Sequence, residues 1–160
     1  MPVFRLAVLA LVGALGVGCV QFLHASNLNP AAVTPEVVKE YWPDGQLRLR
    51  KQVVRQPDGT LVDHGKFERW YSTGAKEYEA VFSHGKKEGT TIRYHRNGVM
   101  AARQEYRDGK RHGTSVHWNE SGAKVKQESW ADGRPHGTWT IWQDGKIKWT
   151  HLYVHGDPDP

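Results

Sequence analysis

The sequence predicts an all-β protein: an elongated single-layer antiparallel β-meander of repeated hairpins, about 24 residues per repeat, preceded by a signal segment. Three observations predict it. Trp70, Phe82, Tyr94, Tyr106, Trp118, Trp130 and Trp142 follow one another at twelve-residue steps, and Tyr153 comes eleven later. Glycines recur beside this ladder at 24-residue steps, as Gly74, Gly98 and Gly122, as Gly85, Gly109 and Gly133, and as Gly65, Gly89, Gly113 and Gly137. Between the glycines lie short stretches with Val, Thr, Tyr and Trp and almost no helical periodicity, a strand signature. Self-similarity at such a fixed period marks a repeat architecture.

One unit supplies two strands. Asp-Gly, Asn-Gly and Ser-Gly pairs punctuate it, because glycine accepts positive φ and Asx side chains bond their own backbone. Gly109 and Gly133 are expected at positive φ. The chain then zigzags, placing Trp70, Tyr94, Trp118 and Trp142 on one rim and Phe82, Tyr106, Trp130 and Tyr153 on the other. Equivalent residues of neighbouring units stand about 9.6 Å apart, two strand spacings.

Residues 1–26 are a different material. Arg5 precedes Leu6–Val20, an apolar run whose only polar member is Cys19, which reads as a secretory signal. Cys19, the single cysteine, ends that run where a bacterial lipoprotein signal places its acylated residue. It is the candidate lipidation site. Cleavage near Ala25 and an uncut anchor are the alternatives. Either route predicts export, to a membrane-anchored, periplasmic or extracellular location.

Residues 27–40, with Asn29-Pro30 and Thr34-Pro35, read as a linker, and residues 41–160 as the repeat domain. The first unit is irregular, with an insertion around Pro57-Asp58-Gly59, and the last is truncated after His155-Gly156. From residue 41 onward Leu, Ile, Val and Phe make only 17 of 120 residues, whereas 15 are aromatic, including all seven Trp. The expected core is therefore a thin, stacked aromatic seam.

The pattern aromatic-x-x-x-Gly, aromatic-x-x-Gly-Lys-x-x-Gly-x-x-x-x-aromatic, from Tyr41 to Gly156, resembles the bacterial variant of the MORN repeat. Some proteins with it are labelled antitoxins of toxin–antitoxin systems. The resemblance implies a hairpin array with a non-catalytic binding role. It brings no catalytic residues and no cofactor.

The residues themselves point the same way. Nine histidines invite a metal reading, and His64, His112 and His136 each precede a repeat glycine. Equivalent positions about 9.6 Å apart do not share a zinc ion that holds nitrogen at about 2 Å. Glu88 fills the same position in one unit, so these residues belong to the turn formula and no metal site is expected. Asp44, Asp58, Asp108, Asp132 and Asp144 all precede Gly, which is turn chemistry and not an acid–base pair. No nucleophile-elbow or phosphate-loop spacing is present, and no enzyme is expected.

Charge supplies one further surface. Lys86, Lys87, Lys110, Arg111 and Arg134 recur beside the turns and form a candidate basic binding rim for an anionic membrane surface or envelope polymer. Nucleic acid is not an expected partner of an exported chain. The leading expectation is an exported, non-enzymatic scaffold that binds another envelope protein; the antitoxin or immunity reading stands behind it.

Overall fold

The computed structural model describes residues 34–158. They form strands β1 (Glu36–Tyr41), β2 (Leu47–Arg55), β3 (Leu61–Trp70), β4 (Lys76–Ser83), β5 (Lys86–Tyr94), β6 (Met100–Arg107), β7 (Lys110–Trp118), β8 (Lys124–Ala131), β9 (Arg134–Pro135), β10 (Gly137–Gln143), β11 (Lys146–Val154) and β12 (Asp157–Pro158). All lie in one twelve-stranded sheet, in chain order. Only the stub β9 leaves that path, pairing with β8. Successive strands pair antiparallel, from β1 with β2 to β11 with β12. The architecture is the single-layer meander that the repeat predicts.

Two kinds of turn alternate between the rims. On one rim the loop closes over five residues: Tyr71 N–H donates to the Ala75 carbonyl at 2.9 Å and Gly74 N–H to the Tyr71 carbonyl at 3.0 Å. His95–Val99 and Asn119–Ala123 close in the same way. Asx oxygens finish these loops, as where Asn97 Oδ1 accepts from Val99 N–H at 3.1 Å. The other rim carries two-residue turns with both residues left-handed, such as Asp108 (φ 50) and Gly109 (φ 79). That is the type I′ geometry, whose twist matches paired strands. Each turn also leans on the hairpin before it. Gly85, Gly109 and Gly133 N–H groups donate to the carbonyls of Asp63, Lys87 and Arg111 at 2.8, 2.9 and 2.8 Å.

The array starts earlier than the linker reading allows. Glu36–Tyr41 is β1, paired with β2 over Glu36↔Val53 to Tyr41↔Leu47. Val37 and Val38 between charged neighbours form an edge strand rather than a tether or helical turn, because β-branched residues fit a pleated surface. The insertion lengthens β2 and β3, which meet at a five-residue loop where Gln56 N–H donates to the Thr60 carbonyl. Near the other end, Pro135 closes β9, and His136 lies between it and β10. The proline ring fixes φ and removes a donor, so the strand that runs unbroken as β7 in the preceding unit is split here.

The core also departs from the aromatic seam. The buried apolar residues are Leu49, Val53, Val54, Tyr78, Ala80 and Ala102, joined by polar Thr91, Ser115 and Glu128. All lie within strands, and none belongs to the twelve-residue ladder, whose members are half-buried. Parity explains the difference. Side chains alternate faces along a strand, so the two rim ladders occupy opposite faces. Phe82 packs 5.4 Å from Phe67 on one face, while Tyr94 hydroxyl donates to Glu79 on the other. Terminal positions on alternating faces cannot stack into one seam. The middles of strands, flanked on both sides, are covered instead.

Candidate binding face

Cross-strand pairing arranges the front face of the central strands in three rows. The middle row runs Thr91, Gln104, Ser115, Glu128 through the pairs Thr91↔Gln104, Gln104↔Ser115 and Ser115↔Glu128. On one side lie Tyr78, Arg93, Ala102, His117 and Lys126, again joined pair by pair. On the other lie Phe82 with Lys87, Tyr106 with Arg111, and Trp130 with Pro135. Small polar residues thus floor a groove whose walls alternate rings and cations, and Phe67, Tyr78, Thr91 and Tyr106 all line it.

The walls are held by cation–ring contacts. Lys87 Nζ lies 5.7 Å from the Tyr78 ring centre and 4.9 Å from that of Tyr106. Arg111 stands 4.8 Å over Trp130 and Lys126 5.1 Å over Trp139. Each such contact contributes about 0.5–1 kcal/mol at exposed sites. The rings continue beyond the groove, with Trp130 and Trp139 at 5.1 Å and Trp139 and Tyr153 at 4.6 Å.

Glu128 closes one end of the floor at 3% exposure. Lys126 Nζ reaches its Oε1 at 2.6 Å, and His117 Nε2 and Arg111 Nη1 stand 3.4 and 4.0 Å from Oε2. Burial pushes the carboxyl up, but hydrogen bonds and charge from His117 and Lys126 outweigh that and hold it below the usual carboxylate range. Cations therefore outnumber acids along the groove. Among the described residues, Lys87 and Arg93 have no carboxylate within 4.0 Å.

The back face carries its own ion-pair cluster. Arg50 Nε donates to Glu68 at 2.9 Å, Lys76 Nζ to Glu68 and Glu79 at 3.2 and 2.9 Å, and the Tyr94 hydroxyl to Glu79. Burial and then the Glu79 carboxylate push the Tyr94 phenol up to about 12. The cations draw the Glu68 carboxyl below its usual range despite its burial. Each acid named here has a cation beside it.

The residues singled out in the sequence fall into place as follows. Gly74, Gly98 and Gly122 sit in the five-residue loops, and Gly85, Gly109 and Gly133 are second residues of I′ turns, all at positive φ. Gly89 and Gly113 lie inside β5 and β7 and Gly137 opens β10, also at positive φ. At Gly113 a Cβ would collide with the Glu105 carboxylate. Trp70, Tyr94, Trp118 and Trp142 lie within the last two residues of strands at one rim, and Phe82, Tyr106, Trp130 and Tyr153 do so at the other. The basic rim divides. Lys87 and Arg111 turn onto the front face among its rings. Lys86, Lys110 and Arg134 remain exposed at the edge, each packed beneath the glycine of the next turn. Cys19 lies outside the described residues. Among those residues, no group of three or more His, Cys, Asp or Glu is placed to hold a metal ion.

Sequence reasoning missed a second set of links. Trp42 Nε1 donates to the Trp70 carbonyl at 3.3 Å, Tyr71 hydroxyl to the Tyr94 carbonyl at 2.8 Å, and His95 Nε2 lies 2.9 Å from the Trp118 carbonyl. The residue after a ladder aromatic thus ties one loop to the next hairpin. Their chemical variety hides the period, since Tyr71 and His95 share a role but not a side chain. The 64, 88, 112 series behaves similarly. His64 Nδ1 and Glu88 Oε2 accept from the turn amides of His84 and Asp108 at 3.3 and 3.0 Å, and His112 Nδ1 stands 3.4 Å from Asp132. These residues serve the following turn from within a strand. Thr91 and Ser115, 24 residues apart, were legible as a period but carry no motif.

Fold and face together define a hairpin-repeat array with a continuous face of rings and cations and with turn-bound histidines. Residues 87–108 match the family model described as MORN repeat variant. They span β5, the 95–99 loop and β6, so this hairpin is similar to a MORN repeat. Repeats of this type are commonly protein- or membrane-binding elements. No curated protein matches the chain significantly.

Proposed function

We propose that the chain is a non-enzymatic scaffold, exported to the cell envelope, that binds another envelope protein through the front face. The observation that carries this reading is the groove itself. Rings and cations in contact recur across successive hairpins on one open face, a layout suited to an extended partner rather than an enclosed small substrate. The charged-then-apolar stretch ending at Cys19 supports the export part. A photo-crosslinking phenylalanine analogue at Tyr106, on the front face, and another at Val81, on the back, tests it in cells. The expected result is a discrete protein adduct in the envelope fraction from position 106 alone. Full-length chain confined to the cytosol, or no adduct from either position, would defeat the proposal.

A specific observation also favours a membrane reading. Lys86, Lys110 and Arg134 form an exposed row along the I′ rim, one per unit. Such a row suits anionic headgroups, each basic residue contributing about 1 kcal/mol near a surface. Replacing all three with Gln should abolish co-sedimentation with phosphatidylglycerol vesicles if the rim binds them. Unchanged sedimentation removes this reading.

A further inference from the structure

We propose that the groove over Thr91 and Ser115 takes the carboxylates of an acidic, extended peptide segment of the partner, held by Lys87, Arg93, Arg111 and His117. This rests on the protein-binding reading above and names the chemistry of the partner. Two independent observations meet here. The first is charge: Lys87 and Arg93 have no carboxylate within 4.0 Å among the described residues, and the Glu128 carboxylate nearest Arg111 stands 4.0 Å away, already held by Lys126 at 2.6 Å. The second is the floor. Thr91 and Ser115 are 3% and 1% exposed, yet Thr91 Oγ1 and Ser115 Oγ have no hydrogen-bond partner. Buried hydroxyls are ordinarily paired, and an unpaired one asks what completes it.

The two hydroxyls occupy equivalent positions in successive units, with the Gln104 strand between them, so they lie about 9.6 Å apart. A peptide in the extended polyproline II conformation, with about 3.1 Å rise and three residues per turn, covers that span in about three residues and keeps residues i and i+3 on one side. Acidic side chains at such a spacing meet Lys87 and Arg93 over one floor hydroxyl and Arg111 and His117 over the next. Carboxylates accept charge-assisted hydrogen bonds from the Lys and Arg donors. A neutral sugar chain fits less well, because the ring faces it would stack on are already covered by Lys87 and Arg111.

The test uses the full chain and fluorescence anisotropy of a labelled poly-Glu decapeptide, with the matching poly-Gln decapeptide as control. Saturable binding of the first alone is expected. Lys87→Gln and Arg93→Gln should each weaken it about tenfold, the loss of one charge-assisted contact. Lys86→Gln and Lys110→Gln, one face away, should change it less than about twofold. Thermal melts check that each variant folds, and Ser115→Ala, nearly isosteric, provides a second probe of the floor. Equal losses from both pairs would mean nonspecific attraction and overturn the site. So would absent peptide binding alongside binding to phosphatidylglycerol vesicles. If the decapeptide fails while the Tyr106 crosslink captures an envelope protein, the acidic chemistry falls and the scaffold reading survives.

Discussion

At Gly109 the backbone holds φ 79 and at Asp108 φ 50, so the turn depends on two adjacent left-handed residues. A β-branched side chain is strongly disfavoured there. Gly109→Val should cost about 1–3 kcal/mol, read from thermal or urea melts; an unchanged midpoint would exclude the I′ assignment. This residue was legible from Asp-Gly alone, because turn chemistry is local. Glu128 was not. Nothing near it in sequence announces burial, since its partners come from β7 as well as β8. Glu128→Gln should destabilise by about 1–2 kcal/mol, less than a fully enclosed pair, because the Lys126 and His117 side chains are 38% and 31% exposed. Its folded pKa lies below the ordinary value of 4.5. A depressed carboxyl adds stability that is complete above the unfolded value and lost as pH falls through the folded one. Acid melts below about pH 4.5 should therefore show a steeper loss in wild type than in Glu128→Gln. Parallel acid limbs would refute the ion pair.

The individual strand carries a different lesson. Strands β3 to β8, β10 and β11 each carry a ladder aromatic within their last two residues, and the period of those aromatics made their order legible. It did not fix which side chains are buried. Burial depends on parity and on bulges such as the register shift between His117 and Trp118, which a twelve-residue spacing leaves undetermined. Trp118 ends β7 half-buried. Trp118→Ala should thus cost about 1–2 kcal/mol, against the 3–5 of an enclosed tryptophan. A loss above 3 kcal/mol would place the ring in a core that the strand end does not provide. β1 was misread for the opposite reason: a six-residue edge strand with five exposed residues, three of them charged, has the composition of a tether.

Across the whole molecule each hairpin touches its sequence neighbours, so stability is close to a sum of unit and interface terms. Ending the chain after Ala131 removes β9–β12 but leaves every pair from β1 to β8 intact. The truncated chain should stay folded, with a lower urea midpoint and a smaller m-value in proportion to the surface removed. Loss of the β-sheet circular dichroism signal would mean that the last hairpin is a required cap. The groove should keep its affinity for the poly-Glu decapeptide in that chain, since its cations lie on β5 and β7.

The sheet never closes on itself, and its path begins at β1 and ends at β12. Opening therefore has two starting points and one meeting place. Amides in β1 and in the outer part of β11 should take up deuterium first, and those of β5 to β7 last, as local unfolding advances from both ends. The rows around Thr91 and Ser115 lie at that meeting place. Fraying at either terminus would leave the binding face already formed while the ends are still exchanging.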